Sequence, residues 1–263
     1  MTPRIPQITK KKRRKKILLS VGILLLLLIA AASALALTVF RSQTVALYRE
    51  IRNFFYVRPD SAYRQYDDPD GRTVIWLDAG HGGSDPGAVS PFLGTETEAT
   101  VNARLTALVK TELERYGYTV RLTWEAGTPT DENGQYPISY RYGRVNADPE
   151  ADLFVWIHSN SYTDPTVSGG RIYYVPDRSP YNHYYANAVA DGIEEAHGGE
   201  RPSLYPMAAD ATYEMLREIA VPAFLIETLF VSNEGDAAKL LDPVWLKTEA
   251  EGIALGIHQF ITG

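Results

Sequence analysis

From residue 72 onward the chain alternates short apolar runs with amphipathic segments, and this rhythm constrains the fold more than any other feature. Thr73-Val74-Ile75-Trp76-Leu77-Asp78 reads as a buried strand that stops at Gly80. Val101, Leu105, Leu108, Val109, Leu113 and Tyr116 fall on helical spacing, with Glu112 as the one break and Gly117 as the stop. Further strands are expected over 118–123, 153–157, 171–175 and 223–226. Helices are expected over about 179–196, 212–219 and 243–261, the last offering Trp245, Ile253, Ile257 and Phe260 to the core. Strands separated by helices predict a single three-layer α/β domain over 72–263, with a mixed, mostly parallel sheet and helices on both faces. Ligands bind such sheets beyond the carboxyl ends of the strands.

The region before this domain is of another kind. Residues 1–16 carry eight Lys or Arg and no acid, and Ile17–Phe40 is an uncharged run of 24 residues. A helix of that length crosses a bilayer core of about 30 Å, and the basic block fixes its cytoplasmic side. The expected organisation is a basic cytoplasmic tail at 1–16, a transmembrane helix at 17–40, a juxtamembrane stalk at 41–71, and a domain outside the cytoplasm. The run is longer than a signal peptide needs, which favours an anchor. Ala32-Ser33-Ala34 and Ala34-Leu35-Ala36 keep open the alternative of secretion after cleavage. Removing the tail leaves 18 cations against all 32 acids, a surface that repels nucleic acid. With no Cys, disulfides, thiolate metal sites and cysteine nucleophiles are excluded.

The ends of the strands hold the chemistry. The first runs into Asp78-Ala79-Gly80-His81-Gly82-Gly83-Ser84-Asp85-Pro86-Gly87, the third into His158-Ser159-Asn160, and the last into Glu227. Two imidazoles, one carboxylate and an open fourth position make a catalytic zinc site, with Asp85, Glu96 and Glu98 as candidates for the carboxylate. Each residue also has a plainer reading. A strand-end His can be a hydrogen-bonded loop residue, Thr95-Glu96-Thr97-Glu98 has the form of a capping box, and Glu227 can be a polar strand terminus. Four such groups at one sheet edge favour a single site.

Residues 73–261 resemble the zinc-dependent N-acetylmuramoyl-L-alanine amidases of the amidase-3 family, bacterial enzymes that cut between glycan and peptide stem in peptidoglycan. The resemblance rests on Leu77 to Ala88, Glu98 with Asn102, Arg141 with Asn146, Ala151 to Asn160, and Pro222 to Glu227. It implies Zn2+ held by His81, Glu98 and His158, and Glu227 as the catalytic base. The Glu98-to-Asn102 spacing selects Glu98 over Glu96. Asn160 and Arg141 are candidates for substrate positioning, or for support of the ligands. His183, His197 and His258 are assigned to the surface or to packing. The implied substrate is peptidoglycan, with the membrane as the other partner. The chain departs from the family pattern at Ala79, Trp124, Trp156 and Thr228-Leu229-Phe230, none of which removes a ligand.

Two rival functions stand beside this one. An amidase-like module could hold wall peptide or a partner protein without cutting it. A zinc hydrolase of another kind would show closely spaced ligands such as His-x-x-Glu, whereas His81 and Glu98 are 17 residues apart.

Overall fold

Apolar runs without alternation belong to strands buried on both faces, and here the strands are covered twice. The structure is a computed structural model describing residues 73–176, 178–179, 181–199, 205–208 and 213–263. The elements in chain order are β1 (Val74–Ala79), α1 (Glu98–Arg115), β2 (Thr119–Leu122), α2 (Ile138–Asn146), β3 (Ala151–Asn160) and β4 (Arg171–Tyr174). They continue with α3 (Tyr181–Ala196), β5 (Tyr205–Ala208), α4 (Glu214–Glu218), β6 (Ala223–Phe230), α5 (Glu234–Leu241) and α6 (Pro243–Thr262). The sheet order is β2-β1-β3-β6-β4-β5. Strands β2, β1, β3 and β6 run parallel, and β4 joins β6 antiparallel with β5 parallel to β4.

The two-residue period of a strand divides the core into two layers. Ile75, Leu77, Val155, Ile157, Phe224 and Ile226 face α1, α3, α5 and α6. Val74, Trp76, Phe154, Trp156 and Leu225 face the opposite way, against Val145 of α2 and Met215 and Leu216 of α4. The expected three-layer arrangement with a mixed, mostly parallel sheet is therefore present. Among the described residues no helix is long and apolar enough to cross a membrane, and the segment 17–40 lies outside them, as do the tail and the stalk.

Several expected boundaries move. β3 continues through Asn160 and β6 through Phe230, so His158 and Glu227 lie within strands rather than after them. The polar residues that seemed to end these strands keep extended backbone because neighbouring strands satisfy it. Helices α2 and α5 and strand β5 were not foreseen. α2 buries only Arg141 and Val145, and α5 only Asp236, Ala237 and Leu240, which is too little apolar periodicity to read in a sequence.

Helices α3 and α6 pack backbone against backbone. A Cβ placed on Gly256 would stand 2.3 Å from the Ala188 carbonyl oxygen and 2.5 Å from Val189 Cα. Neither neighbour can swing aside as the tip of a flexible side chain would. Gly256→Ala is therefore expected to cost about 2–3 kcal/mol, as overpacking does, despite the better helix propensity of Ala. The urea midpoint measures it, and an unchanged midpoint would show that the helix pair tolerates the separation.

Candidate metal centre

Three chain segments meet at the carboxyl end of β1 and β3. His81 stands on the loop after β1, Glu98 is the first residue of α1, and His158 projects from β3. Glu98 is buried between the two rings, with Oε1 2.9 Å from His158 Nδ1 and 3.2 Å from His81 Nε2. One ligand atom from each of the three residues lies within 4.8 Å of the others. The ligand atoms of a four-coordinate zinc stand about 3.3 Å apart, so an N2O donor set of this spacing fits such an ion.

The helix start explains why Glu98 is available. Thr97 is the N-cap, and the capping box is closed by Thr97 and Thr100, not by Thr95 and Glu98. The alternative in which Glu98 merely caps its own helix is therefore overturned. With the backbone donors served by threonines, the carboxylate points out of the helix end, where the dipole favours negative charge. Ala88 N–H donates to Glu98 Oε2 at 2.9 Å, and Asn102 Nδ2 donates to Oε1 at 3.2 Å. Asn102 is one helical turn on and wholly buried, and its Oδ1 accepts from Ser159 Oγ at 3.0 Å. This bracing of Glu98 went unrecognised in the sequence, although the i, i+4 spacing of a carboxylate and an amide was its visible signal.

The other candidate carboxylates have different partners. Asp85 Oδ2 accepts from His81 Nδ1 at 2.8 Å, which fixes the ring and leaves Nε2 facing Glu98. Glu96 pairs with Arg104 at 3.0 Å on the helix surface. A Cβ on Gly80 would fall 2.1 Å from His158 Nε2, so only glycine lets that ring lie against the end of β1.

Glu227 joins the group across the sheet. It is the register partner of His158 on the neighbouring strand, so both side chains leave the same face. Its Oε2 is sealed from solvent and has no hydrogen-bond partner among the described residues. Burial, reinforced by the negative charge of Glu98 and opposed by His81, pushes its carboxyl up to about 8. Burial alone would suppress charge on His81, but Glu98 and Asp85 outweigh it and lift that imidazole to about 9. Burial likewise opposes ionisation of Glu98, and the two histidines overcome it and hold its carboxyl far below the usual range.

Arg141 braces the loop that carries His81, whereas the Asn160 side chain bonds to the residue that follows it. Arg141 is buried on α2, with Nη1 3.0 Å from Asp78 Oδ1 and Nη2 donating to the His81 carbonyl at 2.6 Å. Its Nε donates to the Tyr136 carbonyl at 2.9 Å. Its charge serves the buried Asp78, and its donors hold the loop that carries His81. Asn160 is partly exposed at the end of β3, where its Oδ1 accepts from Ser161 N–H at 2.8 Å. Trp156 meets the His158 ring edge-to-face at a centroid distance of 4.6 Å. The remaining histidines lie elsewhere: His183 against Tyr174, His197 against Glu249, and His258 against Tyr118.

Comparison with known proteins extends the resemblance. The family described as N-acetylmuramoyl-L-alanine amidase (amidase-3) matches residues 75–259. The chain is 28% identical over 229 residues to N-acetylmuramoyl-L-alanine amidase AmiC of Neisseria meningitidis serogroup B, covering 72% of this chain and 53% of that protein. It is 32% identical over 200 residues to the endolysin of Bacillus phage SPP1, covering 72% and 66%. It thus spans about half to two thirds of the length of these relatives. Among solved structures, the catalytic domain of CwlV, an N-acetylmuramoyl-L-alanine amidase from Bacillus (Paenibacillus) polymyxa, aligns with a TM-score of 0.60 at 27% identity, over 72% of this chain and 98% of that one. The CwlD amidase of Clostridioides difficile, solved with the GerS lipoprotein, aligns with a TM-score of 0.63 at 23% identity over the same 72% and 98%, a likeness of fold alone.

Proposed function

This chain belongs to the amidase-3 family of N-acetylmuramoyl-L-alanine amidases, and on that premise we propose that it hydrolyses the amide joining N-acetylmuramic acid to L-alanine in peptidoglycan. The observation that carries the proposal is the convergence of His81 Nε2, Glu98 Oε1 and His158 Nδ1 on one point, with Glu227 beside them. His81, Glu98 and His158 would hold Zn2+, which when bound acidifies a water ligand and draws charge from an amide oxygen.

The chain's own groups do the rest. Glu227 accepts a proton from the hydrolytic water and returns it to the departing nitrogen. The C–N bond breaks, and the products are the muramic carboxylate and the free amine of L-alanine. Glu227 Oε2, buried and with no hydrogen-bond partner among the described residues, is free to take and return a proton. Asp85 and Asn102 keep His81 and Glu98 oriented, as outer partners of metal ligands do.

The test is digestion of defined muropeptides by the full chain. The expected result is release of peptide with a free N-terminal L-alanine, abolished by a chelator and restored by zinc. Binding of muropeptide without release would instead identify a non-catalytic wall-peptide module.

We further propose that the domain works outside the cytoplasm, tethered by residues 17–40. The eight cations before that uncharged run support this orientation. The protein is expected to stay with membranes after an alkaline carbonate wash. A soluble product beginning near residue 35 or 37 would replace the anchor by a cleaved signal.

A further inference from the structure

His81 is the one non-glycine residue among those described with a left-handed backbone, at φ +66°. That conformation costs an L-residue about 1–2 kcal/mol and persists only where surrounding contacts enforce it. The contacts are made by Arg141, described above, and by Trp124, which follows β2. Trp124 Nε1 donates to the Ala79 carbonyl at 2.7 Å, two residues before His81. On the other side of His81, a Cβ on Gly82 would lie 2.7 Å from Trp124 Cζ2, so the indole fills the space beneath that glycine. The indole is itself held by a stack on Tyr136, with centroids 4.6 Å apart and planes 17° from parallel. The segment bearing Tyr136 is joined to the same loop through the Gly83–Gln135 bridge and through Ser84 N–H donating to the Gly134 carbonyl at 2.8 Å.

We propose that Trp124 is a positioning residue for His81, gripping the loop at residues 79 and 82 so that Nε2 is aimed at Glu98 and His158. This inference rests on the metal-site reading above. Asp85 fixes the rotation of the imidazole, but the direction of the ring also depends on the backbone from which it springs. That backbone is strained, so it relaxes when a restraint is withdrawn. Trp124→Phe keeps an aromatic face toward Tyr136, shortens the ring that reaches Gly82, and deletes the indole's hydrogen bond to the Ala79 carbonyl, which then retains the Arg141 Nη1 donor at 3.2 Å. Trp124→Ala removes all three.

The experiment measures zinc affinity of the full chain by chelator competition and records the visible spectrum of the Co2+-substituted protein, for wild type, W124F, W124A and H81A. W124F is expected to weaken zinc about 10-fold or more, the size of other losses from outer partners of metal ligands, and to shift the cobalt bands. W124A is expected to weaken zinc further, and H81A to lose it. W124F with wild-type affinity and an unshifted spectrum, whether or not it melts lower, overturns the positioning role if H81A loses zinc. Retention of zinc by H81A overturns the metal-site reading itself.

Discussion

Glu227→Gln is expected to keep zinc at full stoichiometry while turnover on purified peptidoglycan falls by about 10²–10⁴-fold. That is the usual worth of a positioned general acid–base group. Gln preserves the shape of the side chain and its place beside His158 but cannot carry a proton between water and leaving amine. Near-normal activity in this variant would remove Glu227 from the mechanism.

The same substitution should raise stability, because the native carboxyl is poorly accommodated. In the metal-free protein Glu227 holds its proton up to about pH 8, whereas in the unfolded chain it ionises near the ordinary 4.5. The native state therefore binds the extra proton between these values, and wild-type stability falls as pH rises from about 4.5 to 8. Allowing for the partial exposure of the residue, the loss is on the order of 3 kcal/mol. Metal-free Glu227→Gln lacks this decline. It should melt about 5–10 °C above wild type at pH 9 and level with it below pH 4.5. A constant difference across that range would show that burial of the carboxylate is not its source.

Glu98→Ala is the second large effect. Oε1 is the atom both imidazoles face, so its loss leaves two neutral nitrogens as the only donors. Zinc affinity should drop by more than the roughly 10–100-fold that outer partners such as Asn102 are worth, and Glu98→Gln should fail to restore it. Elemental analysis after dialysis reads the stoichiometry. Zinc retained at one per chain in Glu98→Ala would sink the ligand set. Because threonines cap α1, the helix itself should survive, and far-UV circular dichroism separates metal loss from unfolding.

The sequence determined a good deal by itself. The runs at 74–77, 153–157 and 223–226 are apolar on both sides of the strand, so they announce a sheet covered twice. Their local order, interrupted by helical periodicity, sets the layer count. The reactive residues are likewise few and placed where apolar runs stop, which made His81, His158 and Glu227 legible without any distance information. Tertiary structure alone decided the rest. Asp85, Glu96 and Glu98 are chemically alike, and although the spacing to Asn102 already favoured Glu98, only the fold showed that Glu98 faces the histidines, that Asp85 orients the His81 ring and that Glu96 pairs with Arg104. Glu227 came to face His158 because β3 and β6 pair in parallel at that register, a contact between residues 69 apart that no local pattern encodes. Short-range propensities fix elements within a dozen residues. The convergence of a site depends on pairings whose energy exists only once the sheet has closed.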